Sequence, residues 1–258
     1  MIFGNNKAHP IVAIPNNKDQ KPVLGIPSGG DFKRIDCLIE PDKVVDVASS
    51  TAGVINSINV ERGDIVKKGA VLAVLENGVE RTNVKLAAAR LKFAKENYTR
   101  MEALYKKKVV SLQEKDKSHT ELQVAILELR RAKEMLQKRV ITSPLSGIVV
   151  QRYISPGEIT DQQKVLKIAT INPLKVEVVA PIKLLGTMRK GMNAQIWPEG
   201  PHKGPFLAKV TIVDRVVDAA SGTFGVRLSL PNPGHKIPAG VKCEAGFSGQ
   251  ATDTASKR

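Results

Sequence analysis

Apolar and polar residues follow two different periods along this chain. Over residues 32–78 and again over 140–248, short runs alternate apolar and polar positions and are broken by Gly and Pro, which predicts β-strands. Residues 79–139 contain neither Pro nor Gly and are dense in Ala, Leu, Lys, Arg and Glu, a composition typical of helix. The predicted fold class is therefore α+β, mostly β, with one helical segment inserted between strands.

The helical segment carries two apolar stripes with heptad spacing. The stripes comprise Val84, Ala87, Leu91, Ala94, Tyr98, Met101 and Tyr105, and then Leu122, Ala125, Leu129, Ala132 and Leu136. Between them, Ser111 followed by Glu114 matches a capping box, so the chain is expected to turn near residues 108–111 and to start a second helix there. The pattern predicts an antiparallel two-helix coiled coil and disfavours one continuous helix.

The strand regions on either side of the helices resemble each other at a constant offset of 94 residues. The corresponding positions are Gly53 and Gly147, Gly63 and Gly157, and Val71-Leu72 and Val165-Leu166. Gly63 and Gly157 fit tight turns that need a positive φ. The constant register, without a gap, indicates an internal repeat that the helical segment interrupts.

Charge and motif content narrow the function classes. The formal net charge is +15, and the 16 basic and 7 acidic residues of segment 81–139 supply +9 of it. Such a field attracts an anionic partner and is screened by salt. The four histidines have no metal-ligand spacing and lie near no nucleophile motif, and no phosphate-binding glycine loop is present. The sequence therefore predicts no enzyme, no cofactor and no metal site.

The interrupted repeat resembles a lipoyl or biotinyl domain, which is built from two similar halves. In carrier domains the halves meet at a hairpin with a modified lysine, whereas here the first half ends at Glu76-Asn77-Gly78 and the helical segment follows. A lipoyl-like domain split by a helical hairpin resembles the membrane-fusion-protein (HlyD-like) family of adaptors. Segments 214–223 and 226–233 also resemble the adaptor β-barrel, and Pro238-Ala239-Gly240 stands where the family commonly has Pro-Gly-Met.

The resemblance implies a division into domains and a function. The implied units are an N-terminal arm (1–32), a β-barrel domain (33–43 and 173–248), a split lipoyl-like domain (44–78 and 140–172), an α-helical hairpin (79–139) and a polar tail (249–258). The implied function is a periplasmic adaptor that couples an inner-membrane transporter to a TolC-like outer-membrane channel. A resistance-nodulation-division (RND) transporter is favoured over an ABC exporter, and a ring of six subunits is implied by the family as well.

The resemblance also assigns residues to the hairpin tip. Arg100, Leu104 and Ser111 match the pattern Arg-x3-Leu-x6-Ser, which contacts the channel in adaptors that bind TolC-like proteins. Arg100 and Leu104 are one helical turn apart and share a face, and Ser111 lies across the turn. Ser111 is expected to act both as the helix cap and as a contact.

The family resemblance places the two cysteines, Cys37 and Cys243, on neighbouring barrel strands with both thiols facing the interior. A disulfide and a pair of buried free thiols both stay open, because a bridge requires Cα atoms within about 7 Å. The N-terminus has no apolar signal segment, so the signal or anchor is expected to be removed or to lie upstream. The family's full membrane-proximal domain has no counterpart here, which implies a reduced adaptor or a shortened chain.

Two other function classes compete with the adaptor. A biotin- or lipoyl-type carrier subunit would explain the repeat, but the first half has no lysine at its tip. A basic coiled-coil protein that binds nucleic acid would explain the charge but not the split repeat, and the helices lack interleaved aromatic residues for base stacking. Binding of nucleic acid is therefore not expected.

Overall fold

The structure is a computed structural model that describes residues 34–200 and 204–247. The predicted arm (1–32) and tail (249–258) lie outside the described residues. The described residues form β1 (Ile35–Ala48), β2 (Gly53–Ile58), β3 (Ile65–Val66), β4 (Val71–Leu75), α1 (Gly78–Lys106), α2 (Leu112–Gln137), β5 (Val140–Thr142), β6 (Gly147–Arg152), β7 (Ile159–Thr160), β8 (Lys164–Pro181), β9 (Asn193–Pro198), β10 (Phe206–Val213), β11 (Thr223–Leu230) and β12 (Val241–Phe247). Short 3-10 helices lie at Ile182–Leu184 and Pro233–His235.

Six strands close a β-barrel. They pair in the order β1-β12-β9-β10-β11-β8, and β8 pairs back with β1, all antiparallel. The alternate strand side chains that point inward are buried, and most of them are β-branched or leucine. The largest fully buried ones are Ile39, Leu174, Ile196, Leu228 and Leu230, and Ile237 from the segment before β12 joins the same core. Closure leaves no unpaired strand edge in the barrel, which removes a route to aggregation.

The repeat found in the sequence is confirmed as two matching β-units. Strands β2 and β6, and strands β3 and β7, begin 94 residues apart. Their hydrogen bonds match as well: the amide of Gly63 donates to Val149 O at 2.9 Å, and the amide of Gly157 donates to Ile55 O at 2.8 Å. Gly63 and Gly157 have φ values of 98° and 88°, as the turn prediction requires.

The two longest strands run through both β regions. β1 contributes Ile39 to the barrel core and Val47 to the core of the split unit, and β8 contributes Leu174 and Leu166 in the same way. The predicted domain boundaries at 43/44 and 172/173 thus fall inside strands. The pairing of β1 with β8 shifts its register between Pro41 and Lys43, near the first boundary. The division into domains itself stays a prediction.

Helices α1 and α2 pack side by side in opposite directions. Late in α1, the Tyr98 ring lies 5.2 Å from the His119 ring, which is early in α2. Nearer the start of α1, the Arg90 guanidinium lies 3.6 Å from the carboxylate of Glu128 in the second half of α2. At 1.5 Å per residue, the 29 residues of α1 span about 43 Å. Alanine layers face the partner helix and are buried, which lets the backbones approach closely.

The predicted stripes lie at this helix contact, with one exception. Every predicted member is buried or half-buried except Tyr105, which is 36% exposed. Tyr105 lies near the end of α1, where the Lys115 ammonium stands 5.2 Å from its ring centroid. The last layer therefore has a cation–π contact and is partly open to solvent.

Candidate functional site: the hairpin tip

The turn between the helices is a Schellman motif with lysine at the left-handed position. The amide of Lys108 donates to Tyr105 O at 2.8 Å, and the amide of Val109 donates to Leu104 O at 3.0 Å. These two bonds satisfy carbonyls at the end of α1 that have no partner within the helix. Lys108 has φ = 59°, a conformation that glycine usually supplies at this position.

Ser111 caps α2, as predicted. Its hydroxyl accepts the Glu114 amide at 3.2 Å, while its own amide and hydroxyl donate to the Glu114 carboxylate at 2.8 and 2.9 Å. Both halves of the capping box are therefore present. These bonds, the backbone amide of Ser111 first and its hydroxyl second, hold the pKa of Glu114 below its ordinary value.

The three predicted contact residues all lie at this end of the hairpin. Arg100 is exposed on α1, Leu104 is half-buried in its last turn, and Ser111 is the exposed cap of α2. The carbonyl of Leu104 also accepts a hydrogen bond from the Val109 amide, so this residue helps to define the turn. The assignment of these residues to a binding patch stays a prediction.

The tip is basic and partly apolar at its surface. Lys106 pairs with Glu102 within α1 at 3.3 Å. Lys107 and Lys108 have no carboxylate within 4 Å among the described residues. Two apolar side chains near them are well exposed, Val109 at 67% and Leu112 at 53%. The tip thus presents free cations beside apolar surface.

A side-chain clamp joins the other end of the hairpin to the split β-unit. Arg139, just after α2, donates to the Glu80 carboxylate in the first turn of α1, from Nε at 2.9 Å and from Nη2 at 2.7 Å. Its Nη1 donates to the carbonyl of Ala52, just before β2, at 2.7 Å. Gly53 leaves room for this guanidinium, since a Cβ there would lie 2.7 Å from Arg139 Nη1. One side chain therefore ties both helices to the β-unit.

With this geometry established, comparison with known proteins identifies the family. Residues 43–170, which span the split β-unit and both helices, match the model of the CzcB-like barrel-sandwich hybrid domain. The chain belongs to the membrane fusion protein family. The sequence-based interpretation of a split lipoyl-like unit is in accord with this domain.

Relatives of this membrane fusion protein act in efflux and metal resistance. The cobalt-zinc-cadmium resistance protein CzcB of Cupriavidus metallidurans is 28% identical over 208 residues, covering 74% of this chain and 40% of CzcB. The solvent efflux pump periplasmic linker SrpA of Pseudomonas putida is 23% identical over 215 residues, covering 77% and 56%. The chain thus spans about half the length of these curated relatives.

A solved structure shares the fold of this membrane fusion protein. It is a MacA-MexA chimera that contains the α-hairpin domain of Pseudomonas aeruginosa MexA. The two superpose with a TM-score of 0.70 at 21% identity, covering 83% of this chain and 79% of the chimera. At this identity the likeness concerns the fold alone.

The cysteines of this membrane fusion protein are direct cross-strand partners. Cys37 on β1 stands opposite Cys243 on β12, with Cα atoms 4.8 Å apart and the sulfur atoms joined in the structure. Both residues are buried in the barrel core. Formation of this bridge in the cell stays a proposal, which a thiol titration tests below.

Sequence reasoning missed two features of this membrane fusion protein. The clamp joins Arg139 to Glu80, 59 residues away, and no local pattern signals such a pair. Lys108 adopts a glycine-like conformation without being glycine, so no composition signal marks it. Across residues 34–200 and 204–247, no helix is long and apolar enough to cross a membrane.

Proposed function

We propose that this chain is a non-enzymatic periplasmic adaptor subunit of a tripartite efflux system. It links an inner-membrane transporter, of RND type in preference to ABC type, to a TolC-like outer-membrane channel. The hairpin, packed as a coiled coil, reaches the channel with its tip, and the β-barrel end faces the transporter. Copies of the chain associate into a ring, six in number by family resemblance.

One observation carries this proposal: a two-helix hairpin of about 40 Å is inserted in the turn of a split β-unit. Its far end bears a structured, basic tip, and its near end is fixed to the β-unit by Arg139. A long helical hairpin that is fixed at one end and charged at the other suits a protein that links two separated partners. The names of the relatives, efflux linkers and resistance proteins, support the same function.

The two competing functions find less support. A carrier would need a modifiable lysine in the turn of the split unit, but α1 begins directly after β4, and Lys85 already lies within the helix. A nucleic-acid binder would leave the matched β-units unexplained. It would also leave unexplained why the helix contact is formed by small residues such as Ala94 and Ala125.

The decisive experiment alters the tip without unfolding it. Arg100→Asp reverses a charge on an exposed helix face, where the expected change in stability is within about 0.5 kcal/mol. A triple variant adds Leu104→Asp and Ser111→Asp, the last of which retains an N-cap side chain. Efflux complementation and crosslinking to the TolC-like channel of the same host are measured.

Arg100→Asp is expected to keep its melting temperature and to lose crosslinking and efflux. The triple variant, which also changes half-buried Leu104 and the cap, should melt at a lower temperature but remain folded at the assay temperature, and should lose both functions. Arg130→Asp, an exposed charge reversal far from the tip on α2, is the matched control and should retain both. Normal efflux and normal crosslinking by the triple variant would refute the role of the tip.

A further inference from the structure

Lys108 holds a backbone conformation that its side chain disfavours. Its φ of 59° lies in the left-handed region, where a Cβ crowds the backbone and glycine is the usual residue. The hydrogen bonds of the turn are made by the backbone of Lys108 and Val109, so glycine at position 108 would preserve them. The turn therefore gains nothing from the lysine side chain. A strained residue that the fold does not need points to a role in binding.

The Lys108 ammonium is also an uncompensated charge. Lys106 is paired with Glu102, and Lys115 lies over the Tyr105 ring. Glu114, which lies after the turn, is occupied by its bonds to Ser111. Within the described part of the chain, no carboxylate comes within 4 Å of Lys108. An outside carboxylate can therefore pair with it without displacing an internal partner.

The surroundings of Lys108 favour an acidic protein surface over a phosphate. At the start of α2 the amides of Ser111 and Glu114 are already bonded in the capping box, and the Glu114 carboxylate held there repels a phosphate. Exposed Val109 and Leu112 lie beside the charge and suit an apolar protein surface. The Lys108 ammonium is a point charge that suits a single carboxylate, and the two apolar side chains beside it suit apolar contacts around that carboxylate.

We propose that Lys108 is a specificity-determining residue of the tip, held in the left-handed conformation so that its ammonium pairs with an Asp or Glu carboxylate on the rim of the partner channel. This inference rests on the proposed function and adds to it the chemistry of the partner. The partner surface it requires is acidic, with an apolar patch next to the carboxylate.

The test measures binding of the full chain to the TolC-like channel of its host, held in nanodiscs of uncharged lipid, at low and high salt. Lys108→Gly is expected to melt at the same temperature or higher, because the strain is removed, and to weaken binding about 10-fold at low salt with a shallower salt dependence. Lys108→Arg, which keeps the charge, should bind within about 2-fold of wild type. Lys107→Ala is the matched control, since Lys107 has φ = −86° and an equal charge.

The outcomes separate this inference from the proposed function. If the wild type does not bind the channel, both are wrong. If the wild type binds and Lys108→Gly binds equally well, or Lys107→Ala weakens binding as much as Lys108→Gly does, only the role of Lys108 is wrong. If Lys108→Gly loses binding to anionic vesicles or to DNA while channel binding is intact, Lys108 serves a phosphate partner and the inference is overturned.

Discussion

Removal of the Arg139 side chain should loosen the hairpin from the β-unit. In Arg139→Ala, the Glu80 carboxylate loses both of its bonds to the guanidinium, and the Ala52 carbonyl loses its donor. The side chains of Arg139 and Glu80 are 25% and 15% exposed, so water reaches the abandoned groups only in part. The change therefore leaves a poorly solvated charge at the base of the helices.

The magnitude follows from this intermediate burial. Exposed ion pairs contribute about 0–1 kcal/mol, and breaking a fully buried pair costs about 3–5 kcal/mol. For Arg139→Ala we therefore expect a loss of about 2–3 kcal/mol in the unfolding free energy of the hairpin. Arg139→Lys keeps the charge but not the forked set of N–H donors. Its loss of unfolding free energy should be roughly half that of Arg139→Ala.

The assay is urea unfolding followed by circular dichroism at 222 nm, which reports the helices, with hydrogen exchange at the start of α1. Arg90→Ala is the matched control, because the Arg90–Glu128 pair joins the same two helices at 3.6 Å but is 61% and 45% exposed. Its expected cost is below about 1 kcal/mol. Equal losses for Arg139→Ala and Arg90→Ala would refute the clamp.

Two further predictions concern the barrel and the cap. Thiol titration of unreduced, denatured protein should find no free thiol at Cys37 or Cys243, and reduction should add two daltons to the mass. In the chain-entropy model, a bridge that closes a loop of 206 residues stabilises the fold by about 5 kcal/mol. Two free thiols would reject the bridge. The folded pKa of Glu114 lies below its ordinary 4.5, so the cap stabilises α2 above that pH and is lost as pH falls through the folded value. Glu114→Gln should remove this contribution and make helix content less sensitive to acid, and an unchanged acid dependence would contradict it.

The helices and the repeat could be predicted because their signals are local or periodic. Buried Ala94 and Ala125 follow from heptad spacing, and the start of α2 follows from Ser111 and Glu114. The paired β-units follow from one constant offset, because each half builds its turn with a glycine at the same place. Periodic patterns of this kind report which face is buried before any tertiary contact is known.

The remaining features depend on distant contacts. The sequence indicates short strands where β1 and β8 run unbroken through two cores, since alternation alone does not tell which partner a strand faces. Tyr105 fits the apolar stripe by spacing, but at the end of α1 it is 36% exposed and its ring lies beside the Lys115 ammonium. The clamp of Arg139 depends on which carboxylate the turn of the chain brings beside it.

The pairing of the first barrel strand with the last one sets an order on folding. Ile35 on β1 pairs with Ala245 on β12, so the barrel cannot close until nearly the whole described chain is present. The two helices, by contrast, meet across a turn of a few residues and can form early, because local contacts cost little chain entropy. Until β12 arrives, β1 and β9 keep open edges that can pair with other chains. The newly synthesised chain is therefore most prone to aggregation in the interval between helix formation and barrel closure, and pairing of β12 ends that interval.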